Sequence, residues 1–302
     1  MARKKREQIL SELGLTQEEI QSSSLYRDAW LRLRRNKAAM VSLAVIVLII
    51  LMTIFAPFIA PHDPYKQNLA NKVAPPGGEH LLGTDSLGRD LFSRILYGAR
   101  ISIMVGLVAA AIAVPIGVIL GSIAGYFGGW ADAVISRIIE TLGSFPFIIL
   151  AMSIMFVLGP GILNIFIVLG LTGWLGHARQ IRAAVIQLKG REFIEAAKAS
   201  GASDAQIIFK HLIPNCISTI IVITTLDIPR DILFESTLSF IGIGVQPPTP
   251  SWGSMISESR RFIRQRWTYA VFPGIAMMIL ILALNTFGDG LRDAFDPKLK
   301  NL

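Results

Sequence analysis

Apolar residues come in long blocks separated by polar, glycine- and proline-rich stretches. Residues 38–60 are almost wholly apolar, with Arg34, Arg35 and Lys37 just before them and Pro57 and Pro61 at their end. At about 1.5 Å per helical residue, such a run crosses a hydrocarbon core of roughly 30 Å. Further apolar blocks cover about residues 101–126, 145–158, 162–176, 215–235 and 269–287. The pattern predicts an all-α, polytopic bundle of about six transmembrane helices. Gly106, Gly117, Gly121 and Gly125 lie in the second block, where small residues permit close helix approach. Residues 130–143 are amphipathic and read as an interfacial helix or an extension of the next span. The string Gly159-Pro160-Gly161 reads as a tight turn.

The polar stretches set a domain plan. Residues 1–37 form an N-terminal tail, in which residues 11–21 read as a short helix. Residues 38–290 form the membrane domain, with long loops at 61–98, 178–214 and 237–268, and residues 291–302 form a C-terminal tail. No apolar segment follows soon after the basic start, so the N-terminus reads as a retained cytoplasmic tail rather than a secretory signal. Lys and Arg number nine in the N-terminal tail, one after the second span, six after the fourth and three in the C-terminal tail. The two loops on the other side hold four each. The basic excess predicts that both termini face the cytoplasm. The loop 178–214 is then cytoplasmic, and the loops 61–98 and 237–268 are external.

Composition agrees with this plan. The 302 residues are 52% hydrophobic and 17% charged, well under the roughly 25% charged residues of ordinary soluble domains. The net charge of +8 comes from residues flanking the apolar blocks rather than from one patch, so the chain does not read as a nucleic-acid binder. A lone cysteine, Cys216, leaves no intramolecular disulfide and no cysteine metal cluster. His62, His80, His177 and His211 show no HxxxH or HExxH spacing. Each reads as a loop or interfacial residue, and no metal site is predicted.

The loop before the fifth span contains EAAKASGASDAQIIFKHLIPN. Residues 191–200 favour a helix, and Gly201 suits the left-handed position that closes one. Ser203 or Asp204 can cap a second helix running to about Leu212, and Pro214 breaks the chain before the next span. Two short helices with a sharp bend are expected, and the small pair Ala196-Ala197 allows close approach by another protein surface. The fifth span carries Asp227, Pro229, Arg230 and Asp231, with Glu235 at its outer end. Asp227 would lie close to mid-membrane, where charge is costly and faces a pore or a partner. Two readings stand for these residues: contact with the charged termini of a transported peptide, or an ion pair with a sister subunit.

Glu195, Ala196, Ala197, Gly201 and Pro214 resemble the EAA loop of ABC importer permeases. The pattern FxHxxPN, at Phe209, His211, Pro214 and Asn215, resembles the peptide-importing branch. So do His80-Leu-Leu-Gly-Thr-Asp85, Gly88-Arg89-Asp90, Tyr97-Gly98-Ala99-Arg100, the run from Leu238 to Gly253, and Gly288-Asp289-Gly290-Leu291-Arg292-Asp293 with Asp296-Pro297. Residues from about 30 to 300 thus resemble a dipeptide or oligopeptide permease of the second-subunit (C) type. The resemblance implies a type I importer fold in a bacterial or archaeal cell (inner) membrane. It also implies a homologous sister permease, two ATPase subunits, an external or periplasmic solute-binding protein and a peptide substrate. Glu195, Ala196, Ala197, Gly201, Ala202, Ser203, Asp204, His211 and Pro214 would form the coupling surface for the ATPase, and span five would line the translocation path.

No G-x-x-x-x-G-K-[ST] string occurs in the chain. It is therefore expected to be non-catalytic and to bind no cofactor, with ATP and Mg held by the partner ATPases. Nickel, glutathione or another small solute is the competing cargo within the same architecture. An ion-driven secondary transporter is the competitor of a different class, and a membrane enzyme ranks last.

Overall fold

The computed structural model describes residues 25–295. The proposed helix at residues 11–21 and the terminal Asp296-Pro297 lie outside them. The described residues are mostly helical and contain no strand, only two isolated bridges, in keeping with the expected all-α class. Helix α1 (Leu25–Arg35) leads into α2 (Lys37–Ile54), whose first turn is capped by Asn36 accepting from Ala39 N at 3.1 Å. After a short turn, Ala56–Ile59, the chain crosses an irregular stretch before α3 (Leu91–Phe127). Then follow α4 (Gly129–Gly143), α5 (Phe147–Leu158) and α6 (Ile162–Lys189).

Among the described residues, four helices are long and apolar enough to cross a membrane: α2, α3, α6 and α11 (Thr268–Phe295). Two bent pairs bring the number to six if each pair counts as one span. One pair is α4 with α5, bent by 87°; the other is the segment α8 (Asp204–Asn215) with α9 (Ile217–Ile241), bent by 61°. The third apolar block is thus a helix of 12 residues, about 18 Å long and too short to cross alone. The second span begins ten residues before its apolar block, because residues 91–100 continue the same helix. Asp90 caps it, accepting from Ser93 N at 2.8 Å. The fourth span also outruns its apolar block, reaching Lys189 and taking in the first part of the loop expected at 178–214.

The row Gly117, Gly121 and Gly125 explains how α3 and α6 pack. A Cβ on Gly121 would lie 2.5 Å from the Ala178 carbonyl oxygen, and one on Gly125 would lie 2.8 Å from that of Arg182. Only hydrogen in place of a side chain lets the two backbones meet so closely. Beyond Gly125, Asp132 of α4 holds Arg182 of α6 through two bonds of 2.5 and 2.6 Å.

At the opposite end of α3, the irregular stretch packs on α10 (Trp252–Ser259). Trp252 Nε1 donates to Ile95 O at 3.0 Å. Thr84 and Asp85 are buried. Asp85 lies 2.5 Å from Arg89 and 3.2 Å from Arg94, and both guanidinium groups also face Glu258. Two buried cations are thereby matched by two carboxylates drawn from separate loops.

Candidate coupling hairpin and intramembrane charge cluster

The hairpin starts at α7 (Glu192–Ala199). Ile194 is its fully buried anchor, packed with Tyr126, Val185, Ile207 and Leu212. Glu195 and Ala196 are exposed on the other face, Ala197 is half-buried, and Phe193 is 40% exposed. Gly201 closes the helix at φ +82°, a left-handed conformation that any side chain would strain. Ala202 N then reaches back to Ala197 O at 3.1 Å.

Ser203, rather than Asp204, is the cap of the second arm. Its Oγ accepts from Gln206 N at 3.3 Å, and its own N–H donates to Gln206 Oε1 at 2.9 Å, a reciprocal capping box. Asp204 is freed for a tertiary role: Tyr126, near the end of α3, donates its hydroxyl to Asp204 Oδ1 at 2.6 Å. Lys189 and Lys198 both stand over the Tyr126 ring, at 5.6 and 5.4 Å from its centre. Tyr126, which sequence reading did not single out, is therefore the post on which both arms hang. Residues Ile207–Leu212 are π-helical, burying Ile207, Ile208 and Leu212 while Phe209 stays 59% exposed. His211 is half-buried. Pro214 does not end the helix; it sits exposed in its last turn, and the bend falls at Cys216.

The charges of α9 are paired within this chain. Arg230 Nη1 lies 2.9 Å from Asp227 Oδ1, and Nη2 lies 3.5 Å from Asp231 Oδ1. His177 of α6 brings Nε2 to 3.3 Å from Asp227 Oδ2. His177 is thus no loop residue: it is 1% exposed, inside the bundle. Sequence reasoning missed it because its partner is distant along the chain and no local spacing links them. Of the α9 charges, Asp231 is buried and Arg230 is the most accessible, with its side chain 40% exposed. Glu235, expected beside them on the path, is fully enclosed instead. It accepts from Ser239 Oγ at 2.7 Å and Ser236 Oγ at 3.3 Å, and Ser239 Oγ also accepts from Val245 N. Ser236 and Ser239 of this chain thus satisfy the enclosed Glu235 carboxylate.

Below the charge cluster, α6, α9 and α11 enclose an open cavity of about 430 Å³. Gln180, Ser218, Thr219 and Arg292 line it together with the apolar Val222, Ile223, Leu226 and Phe295.

Residues 117–301, which carry the hairpin, α9 and this cavity, match the model of the binding-protein-dependent transport system inner membrane component. The chain belongs to that family. Residues 24–76 of this permease also match the N-terminal TM domain of oligopeptide transport permease C. The permease is 43% identical over 279 residues to the dipeptide transport system permease protein DppC of Alkalihalophilus pseudofirmus, covering 92% of this chain and 91% of that one. It is 44% identical to the oligopeptide transport system permease protein OppC of Bacillus subtilis, covering 92% of each. The glutathione transport system permease protein GsiD of Escherichia coli O157:H7 is 41% identical, over 98% of each. A chain of the methionine ABC transporter MetNI, solved facing inward, shares the fold at a TM-score of 0.52 and 21% identity. The match covers 68% of this chain and 96% of that one. The family model and the curated relatives place the chain among transport components.

Proposed function

We propose that this permease is one of two transmembrane subunits of an ATP-driven importer of dipeptides or oligopeptides, lying in a bacterial or archaeal inner membrane with both termini cytoplasmic. The observation that carries the reading is the hairpin. It stands at one end of the bundle, bound inward through Ile194 and Asp204, and leaves Glu195, Ala196 and Phe209 exposed for another protein. A separate ATPase docks there, with Glu195, Ala196, Ala197, Gly201, Ala202, Ser203, Asp204, His211 and Pro214 in or beside the contact. ATP and Mg stay on the ATPases. A homologous sister permease completes the path, and an external solute-binding protein delivers the cargo. ATP-driven closure of the ATPases pulls the hairpins and shifts the bundle between two packed states.

Peptide cargo is supported by the similarity to dipeptide and oligopeptide permeases over nine-tenths of the chain. Glutathione is the second reading, supported by a relative of nearly equal identity. Within the path, Arg230 is the group that meets a peptide carboxylate, since Asp231 is buried and Asp227 already neutralises part of its charge.

The test is reconstitution of the full complex in liposomes, with ATP hydrolysis and uptake measured for dipeptides, longer peptides, glutathione and nickel. Binding-protein-dependent hydrolysis stimulated by peptides is the expected result. Uptake without an ATPase would defeat the reading, and stimulation by glutathione alone would transfer it to the second cargo.

A further inference from the structure

Between α2 and the head of α3, three side chains that are distant in sequence converge: His62, His80 and Asp90. One potential ligand atom from each lies within 4.8 Å of the others. Asp90 divides its carboxylate between two tasks. Oδ2 accepts from Ser93 N and from Ser93 Oγ, both at 2.8 Å, which fixes the carboxylate against the first turn of α3. Oδ1 points away from the helix, 2.9 Å from His80 Nδ1 and 3.7 Å from His62 Nδ1. In a tetrahedral zinc site, with bonds of about 2.0–2.1 Å, neighbouring ligand atoms stand about 3.3 Å apart. The two observed separations bracket that value.

Two further features point to a ligand. His62 Nδ1 is buried yet has no hydrogen-bond partner, although buried polar atoms are almost always satisfied. Its backbone N–H donates to Ser93 Oγ at 3.2 Å, the hydroxyl that also bonds Asp90. The same serine thus holds the Asp90 carboxylate and the backbone from which the His62 ring projects. The two imidazole rings lie side by side, 4.7 Å between centres.

We propose that His62, His80 and Asp90 form a binding site for a zinc-class divalent transition-metal ion. Two neutral imidazoles and one carboxylate suit zinc, and the fourth position is left for water. The ion fastens the end of the first span and the following loop to the head of α3. It does so at the far end of that helix from Tyr126 and the coupling hairpin. Local spacing could not reveal the site, since its ligands come from three turns of irregular chain rather than from one helix.

The experiment uses the full chain, purified in detergent without a histidine tag and with whichever subunits accompany it, stripped by chelator and then dialysed against Zn(II). The unchanged protein is expected to hold one more zinc per chain than His62→Gln or His80→Gln. Either substitution should weaken affinity about tenfold or more, and His211→Gln at the other end of the bundle should leave it unchanged. Zinc should raise the melting temperature of the unchanged protein and not that of the two variants. If His80→Gln fails to fold, His62→Gln decides, because the ring of His62 makes no hydrogen bond through its buried nitrogen and its side chain is 36% exposed. Equal zinc in the His62→Gln variant and the unchanged protein, or no zinc above a magnesium control in either, overturns the proposal.

Discussion

Asp227 and Asp231 stand one helical turn apart on α9, and a single guanidinium, that of Arg230, serves both. This makes the three residues unequal. Removing Asp227 leaves Arg230 with Asp231, whereas removing Arg230 leaves Asp231 without its cation and Asp227 with His177 alone. Breaking a fully buried pair costs about 3–5 kcal/mol. Because the Arg230 side chain is 40% exposed, Arg230→Gln should cost less, about 2 kcal/mol. Asp227→Asn should cost less again, and the double variant should recover part of the Arg230→Gln loss. Thermal melting in detergent of the four proteins checks the order. In transport, Arg230→Gln should reduce uptake of peptides with a free carboxyl terminus more than uptake of amidated ones. Equal uptake of both by a well-assembled complex would remove Arg230 from the path.

Helix by helix, the hairpin and the α3–α6 pair make separate predictions. Ser203→Ala removes half of the capping box and should cost about 1 kcal/mol locally. Faster hydrogen exchange should then appear across Asp204–Asn215 without a change in the spans. Gly121→Val drives a side chain into the Ala178 backbone and should destabilise the bundle by about 1–3 kcal/mol or more, read as a lower melting temperature. These elements also show what could be read from the chain alone. The left-handed Gly201 and the cap at Ser203 were legible because both are decided by a few neighbouring residues. The start of α3 was not, because Arg94 makes residues 91–100 look like loop until Asp85 and Glu258 are seen to neutralise it. The break before α5 was not legible either, for the opposite reason. Hydropathy reports that residues 145–158 avoid water, yet says nothing of the 87° bend that precedes them. His177 stayed hidden because ion pairs between helices have no signature in either helix.

Across the whole molecule, apolar side chains such as Phe58 and Phe156 are 87% and 88% exposed, as expected of surfaces covered by lipid or by another subunit. The cavity beside α9 differs from them in mixing polar side chains, Gln180, Ser218, Thr219 and Arg292, with apolar ones. If it is half of a shared path, a cysteine at Thr219, with Cys216 changed to serine, should form a disulfide on oxidation with a cysteine introduced on the facing wall of the sister permease in the assembled complex. A cysteine at Phe156 should not cross-link if that face meets lipid. Gel mobility under oxidising conditions distinguishes the two. The glycine row of α3 bears on how such an assembly would move. At Gly117, Gly121 and Gly125 the two helices meet almost backbone to backbone, and α3 is 37 residues, about 55 Å, long, with Pro115 inside it. A tilt of only about 5° at the Tyr126 end would carry the Asp90 end about 5 Å sideways. Leverage along that length can supply a stroke, and the points at which the bundle can bend include Pro115 inside α3, Pro229 inside α9 and the 61° joint before α9.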